Sequence, residues 1–215
     1  MKITELLNEG KSRSCIVVDV QPVYADRRNK NENLDMFQEM AQFLLKQKGP
    51  ILMFVNAERD GLTDDTVESV KDYWNEELGI DYDETFWNRV TLVDKGYGYL
   101  RSWMDHWDVD NAAIIKTIRL MYKQKVTDSR MLFGNMDDDA KDDYESRMGR
   151  FLGDQWNDWM SDDPISVEWT SVAQLKKFSG SYIMGGGRKE CLREVELLMN
   201  AFNIKYKRIE DFVYG

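Results

Sequence analysis

In Ser181-Tyr182-Ile183-Met184-Gly185-Gly186-Gly187-Arg188-Lys189-Glu190-Cys191 a short apolar strand runs into three glycines, and a cysteine opens the helix that follows. A strand ending in a glycine turn and passing into a helix aims backbone N–H groups and the positive end of the helix dipole at one place. A thiol held there is expected to lose its proton, because those groups favour the thiolate. Arg188, Lys189 and Arg193 add positive charge and Glu190 removes some. The plain alternative is packing, since cysteine is among the most buried residue types. A nucleotide-binding loop fits poorly: Glu190 stands where the dinucleotide fingerprint needs its third glycine, and no Gly-Lys-Ser/Thr follows.

Working outward, the same pattern recurs. Cys15-Ile16-Val17-Val18 is a continuous apolar run, as expected of a strand buried on both faces of a parallel sheet. A polar loop, Arg27 to Asn33, leads to a helix with Phe37, Met40, Ala41 and Leu44 on one face. Gly49-Pro50 breaks the chain before a second strand, Ile51 to Val55, completing a βαβ unit with a right-handed crossover. Asn56 to Asp65 reads as a loop, Thr66 to Glu77 as a helix, and Thr91-Leu92-Val93 as a third strand ending at Asp94-Lys95. Tyr182-Ile183-Met184 is the fourth strand, Leu192, Val195, Leu198 and Phe202 mark the next helix, and Lys205 to Ile209 is the fifth strand. Residues 3–9 read as a short amphipathic helix.

The fold class is therefore α/β: a Rossmann-like parallel sheet with helices on both faces. Residues 1–96 and 181–215 form that core. Between 97 and 180 the rhythm changes to a largely helical insertion carrying Trp103, Trp107, Trp156 and Trp159. Asp137-Asp138-Asp139 and Asp142-Asp143 lack the alternating ligands and central glycine of an EF-hand loop, so they read as a solvated helix face.

Composition narrows the function. The chain has 215 residues, 42% hydrophobic and 32% charged, as in an ordinary soluble domain. No apolar run is long enough to span a bilayer, and Met1 to Leu7 is too short and charged for a signal peptide. A net charge of -10 disfavours nucleic acid and anionic membranes as partners. Cys15 and Cys191 make no disulfide framework, so a reducing cytoplasm is expected. His106 is the one histidine, which excludes a site built on two imidazoles of one chain.

In parallel α/β sheets ligands bind beyond the carboxyl ends of the strands. Asp19 follows the first strand, Lys95 the third, and Cys191 the fourth. Singly, Asp19 reads as a turn cap, Lys95 as a solvated charge and Cys191 as packing. Together they supply a carboxylate to take a proton, a cation to hold charge and a sulfur to attack a carbonyl. Lys116 rivals Lys95, but Ile114 to Tyr122 reads as a helix with Lys116 midway.

At these residues the chain resembles the isochorismatase-like cysteine hydrolases, which include nicotinamidases. Asp19-Val20-Gln21-Pro22-Val23-Tyr24 looks like their Asp-x-Gln-x-x-aromatic opening, and Lys95-Gly96-Tyr97-Gly98-Tyr99-Leu100 is similar to their lysine segment. Gly185 to Cys191 matches their strand–glycine–nucleophile spacing, and Glu210-Asp211 follows the last strand as it does in them. The resemblance covers residues 12–100 and 181–214. Uncharacterised proteins of large tailed phages resemble it in carrying the insertion too. The resemblance implies that Asp19 accepts the Cys191 proton, that Lys95 orients the pair, and that the thiolate attacks a small amide or related carbonyl to give a thioester. It also implies an oxyanion hole from the backbone of Gly186, Gly187 and Arg188, with a cis peptide near Gly186-Gly187. Gln21, Tyr24 and Tyr97 are candidate substrate-binding residues within the matched segments. Both junctions of the insertion flank the proposed site, so the insertion is expected to cap it, with Tyr99, Trp103, Trp169 and Arg188 as candidates for the lining, although packing of the insertion accounts equally well for its aromatics.

The departures are specific. Nicotinamidases carry an Asp and two His metal ligands after the second strand, whereas Asn56-Ala57-Glu58-Arg59-Asp60 contains no histidine. No metal and no cofactor is therefore expected. Arg188 replaces the usual threonine and suits an anionic group. The expected partner is a small-molecule substrate, with homo-oligomer formation left open. The rival expectation is a binding or protein-interaction module that keeps the fold without turnover.

Overall fold

The computed structural model describes residues 13–25, 30–56, 65–95, 97–98, 100, 103–104, 109–134, 137–152 and 164–215. The expected helix over 3–9, Tyr99, His106, Trp107, Trp156 and Trp159 lie outside the described residues.

In chain order the elements are strand β1 (Cys15–Val18), helices α1 (Pro22–Ala25) and α2 (Lys30–Lys46), strand β2 (Ile51–Val55), helices α3 (Val67–Glu76) and α4 (Glu84–Trp87), and strand β3 (Val90–Asp94). Next come strand β4 (Tyr97–Gly98), helices α5 (Asn111–Gln124), α6 (Met131–Gly134) and α7 (Asp138–Leu152), and strand β5 (Ser166–Val167). Helix α8 (Trp169–Lys177), strand β6 (Ser181–Gly185), helix α9 (Cys191–Ala201), strand β7 (Tyr206–Arg208) and a 3-10 turn (Glu210–Phe212) complete the series.

Five strands form one parallel sheet in the order β3-β2-β1-β6-β7. The register sets Val18 opposite Phe54 on one side and Gly185 on the other. From β1 the chain winds outward through β2 and β3, and the later strands β6 and β7 lie on the opposite side of β1. The crevice where winding reverses is between the carboxyl ends of β1 and β6, the place where open α/β sheets bind ligands. The fold is the α/β Rossmann-like arrangement read from the sequence.

Every residue of β1, β2 and β6 is buried, so both faces of the central sheet are covered. Cys15, Val17, Ile51, Met53, Val55, Tyr182 and Met184 pack against Phe37, Met40, Ala41 and Leu44 of α2 and Val70 and Trp74 of α3. Ile16, Val18, Leu52, Phe54 and Ile183 point the other way and are also buried. Helix α3 starts on a capping box in which Thr66 and Ser69 exchange side-chain-to-backbone hydrogen bonds. Its Trp74 then donates Nε1–H to the Val20 carbonyl over 2.9 Å, fixing the segment that leaves β1.

Element ends differ from expectation by small amounts. Helix α2 begins at Lys30, inside the span read as a loop, and β3 extends from Val90 to Asp94. β3 is an edge strand of half-buried residues, which is why its outer members did not stand out as an apolar run. The short pair β4–β5, aligned Tyr97 with Val167, had no signal in the sequence because two-residue strands carry no periodicity.

By its internal contacts the chain divides into two units, one of residues 1–95, 174–195 and 204–215 and the other of 96–173 and 196–203. The first holds the sheet. In the second, Asp110 caps α5 by accepting from the Ala112 N–H, and left-handed Lys125 (φ 59°) ends it. Ile114, Ile118 and Met121 of α5 are buried, as are Leu100, Trp103, Val126, Leu132 and Ile165. Among the described residues no helix is long and apolar enough to cross a membrane.

Candidate active site

Asp19 leaves β1 in the left-handed region (φ 49°), a conformation that aspartate tolerates better than most residues. Its N–H donates to the Phe54 carbonyl (3.0 Å), and its own carbonyl accepts the Tyr214 hydroxyl (3.1 Å). The side chain is fully buried. Lys95 follows β3 with its N–H on the Val55 carbonyl (3.0 Å). Its ammonium contacts the Asp19 carboxylate and lies 3.9 Å from Glu194. Lys95 and Glu194 are only 6% and 8% exposed, so these charges meet in a medium far less polar than water.

Across the crevice, the turn after β6 depends on two glycines. Gly185 (φ 77°) lies against β1: a Cβ there would fall 2.4 Å from the Val18 carbonyl oxygen. Gly186 (φ 67°) lies under the start of α9, where a Cβ would approach the Leu192 nitrogen to 2.9 Å. No cis peptide occurs among the described residues, contrary to the expectation near Gly186-Gly187. The successive left-handed glycines turn the chain instead. The Gly187 carbonyl accepts from Glu190 (3.0 Å) and Leu192 (3.2 Å), closing the turn onto the helix.

Cys191 is the first residue of α9 and 7% exposed. Its N–H belongs to the first turn, where no intrahelical acceptor exists. The thiol is not the ready thiolate expected from the helix end. Burial pushes it up from its ordinary value, the Asp19 carboxylate pushes it further by charge and by hydrogen bonding, and Lys95 opposes them. Two carboxylates and a dry setting outweigh one ammonium and the helix dipole, so the proton stays on sulfur in the resting state.

Arg188 does not serve as the sequence suggested. Its N–H donates to the Tyr214 carbonyl (2.8 Å), which removes it from the expected oxyanion set, and its guanidinium pairs with Glu210 (2.6 Å). Glu210 also receives Arg208 (2.8 Å). Tyr214, which sequence reasoning passed over, donates its N–H to the Gly186 carbonyl (3.3 Å) as well as its hydroxyl to Asp19. It thereby ties both sides of the crevice together.

Gln21 is fully buried, and its amide is engaged by its neighbours. Nε2 donates to the Asn56 carbonyl (3.0 Å) and the Asp65 carboxylate (2.9 Å), while Oε1 accepts from the Asn56 N–H (2.7 Å). It positions the end of β2 beside Asp19. Asn56 also donates to the Tyr24 hydroxyl (3.2 Å). Burial and the Asp19 charge push that phenol up to about 12. Tyr24 and Tyr214 face each other at 6.5 Å between ring centres.

Among the other candidates, Tyr97 lies on β4. Trp103 is fully buried in the second unit. Trp169 gives its Nε1–H to the Val126 carbonyl (3.1 Å) and packs edge-on against Tyr122 and Phe202. Both indoles thus go into that unit's packing. Of the implied metal-ligand segment, residues 57–60 lie outside the described residues.

Glu194 was also missed, although its signal was present: three residues after Cys191 on a helix is the same face. No family model, curated protein or solved structure matches this chain.

Proposed function

We propose that this chain is a hydrolase of small carbonyl compounds, acting on a C–N amide bond through Cys191 with Asp19 and Lys95 as partners. The observation that supports it is a buried carboxylate, ammonium and thiol gathered at the winding reversal of a parallel sheet. Groups with opposed charge needs, desolvated together in a crevice, are an arrangement that active sites use to tune proton transfer.

In the proposed cycle the thiol gives its proton to Asp19 as sulfur bonds to the substrate carbonyl carbon. The resulting oxyanion is met by the Cys191 N–H. Collapse breaks the C–N bond, Asp19 returns the proton to the departing amine, and a thioester remains. Water then attacks that carbonyl, passing its proton to Asp19; the C–S bond breaks and the thiol is restored. Lys95 balances charge on Asp19 and sulfur through each step. A raised resting thiol suits this scheme, because ionisation is coupled to attack instead of preceding it.

One observation favours the rival reading, a binding module without turnover: Cys191 is only 7% exposed. Ammonia release from a panel of small primary amides, with acid-quenched mass spectrometry of Cys191, separates the two. Turnover with an acyl adduct on Cys191, both lost in Cys191→Ser, is the expected result. Ligand retention with neither adduct nor ammonia overturns the hydrolase reading.

A further inference from the structure

Helix α2 spends Phe37, Met40, Ala41 and Leu44 on the core and leaves Asp35, Glu39, Gln42 and Lys46 exposed. These four line a groove of about 510 Å³, whose floor is formed by the buried rings of Phe43 and Phe212, 5.6 Å apart between centres. Asp35 and Glu39, one helical turn apart, make one end of the groove negative, and Lys46 makes the other positive. Lys46 stands seven positions after Glu39, a rise of about 10 Å, so the two cannot pair along the helix. Neither forms an ion pair with another described residue. The like charges at 35 and 39 weaken an isolated helix slightly, a penalty that an opposite charge from outside would relieve.

This order of negative, amide and positive groups is complementary to itself when reversed. In an antiparallel pair with its two-fold axis beside Gln42 and Phe43, each copy's Glu39 faces the other's Lys46. The Gln42 carboxamides, able both to donate and to accept, then meet near the axis. We propose that the groove beside α2 receives α2 of a second copy of this chain, in a two-fold antiparallel pair held by reciprocal Glu39–Lys46 contacts. The inference is independent of the thiol chemistry proposed above. The 17 residues of α2 span about 25 Å, and one helix face buries less than the about 800 Å² per partner of a standard interface. The pair is therefore weak, with a dissociation constant on the order of 100 μM. A net charge of -10 repels two copies at long range, but salt at about 0.15 M screens that repulsion beyond about 8 Å and leaves contact pairs in place.

Sedimentation of the full chain at about 0.15 M salt, from about 10 μM to about 1 mM, reads the association directly. The wild type is expected to pass from monomer to dimer across that range and to stop at the dimer, because a two-fold contact closes on itself. Glu39→Lys alone and Lys46→Glu alone each set like charges against each other at both contacts, and should weaken the dimer by about tenfold or more. The two single variants mixed in equal amounts regain opposite charges at both contacts, so the mixture should associate at least as well as the wild type. The double variant Glu39→Lys/Lys46→Glu should do the same. All of these changes fall on exposed helix positions, where the fold tolerates them, and circular dichroism checks that it does. A wild type that stays monomeric up to about 1 mM overturns the proposal. So does a dimer that the single variants leave unchanged, a mixture no better than its components, or growth past the dimer.

Discussion

The Tyr214 hydroxyl donates to the main-chain carbonyl of Asp19 at 3.1 Å, across 195 residues of sequence. The same tyrosine, through its backbone, holds Gly186 and Arg188 in the turn before Cys191. One residue therefore fixes the distance between Asp19 and the turn that carries Cys191. It also supports the left-handed backbone of Asp19, a conformation that costs on the order of 1 kcal/mol where nothing holds it.

Tyr214→Phe removes the hydroxyl and keeps the ring against Phe37 and Tyr24. A loss of about 1 kcal/mol in urea unfolding is expected, the usual net value of one such bond. Any activity should fall more steeply than stability, through the rate constant and not through substrate affinity. Unchanged unfolding and unchanged rates would show that the bond does not position Asp19.

The Cys191 thiol should titrate well above a free cysteine, whose value is about 8.5, because burial and Asp19 both oppose the thiolate. Iodoacetamide labelling near neutral pH is therefore slow and rises through the alkaline range. Asp19→Asn removes the negative charge, favours the thiolate and should accelerate labelling at about pH 7 by about tenfold. A wild-type midpoint below about 8.5, or no response to Asp19→Asn, contradicts the resting state described here.

Burial pushes the Cys15 thiol up from 9.0 to about 12. Because the folded value is the higher one, the stabilisation is complete below the unfolded thiol's value and is lost as pH rises from about 9 toward 12. Cys15→Val, close in volume and suited to a strand, should flatten this loss. Between about pH 8 and pH 10 it should retain about 1 kcal/mol more of its stability than the wild type does. Parallel curves for the two proteins would place the alkaline sensitivity elsewhere.

Gly185→Ala drives a methyl group into the Val18 carbonyl and asks alanine to adopt φ 77°. A destabilisation of about 2–5 kcal/mol is expected from the overlap and the left-handed backbone together. Denaturant midpoints measure it, and a cost under about 1 kcal/mol would mean that β1 and β6 are not in this register.

The sheet was legible because the apolar runs at 15–18, 51–55 and 181–184 reflect burial on both faces, a local and unambiguous signal. That Asp19, Lys95 and Cys191 come together was legible for a related reason: the carboxyl ends of parallel strands lie along one edge of the sheet. The protonation of Cys191 was not, since a helix start seen alone omits the two carboxylates that face it. The Arg188–Glu210 pair was hidden by the separation of 22 positions between the partners, although both charges were visible. Tyr214 was hidden because aromatic residues are read as packing and the carbonyl it serves lies at the other end of the chain.

The pairing of β1 with β6 has a consequence for how the molecule is made. β1 and β2 are joined by a single crossover and can zip together early, but the bond between Ser14 and Ser181 spans 167 residues. Until β6 docks, β1 offers one bare edge to any other extended segment, which is a hazard during synthesis. Docking of β6 closes that edge and, in the same event, carries Cys191 to Asp19. Nascent chains therefore pass through their most aggregation-prone stage before this cluster is assembled, and contacts of such long span make that stage slow to leave. Capture of β6, more than formation of any helix, is the step at which Asp19, Lys95 and Cys191 are brought together.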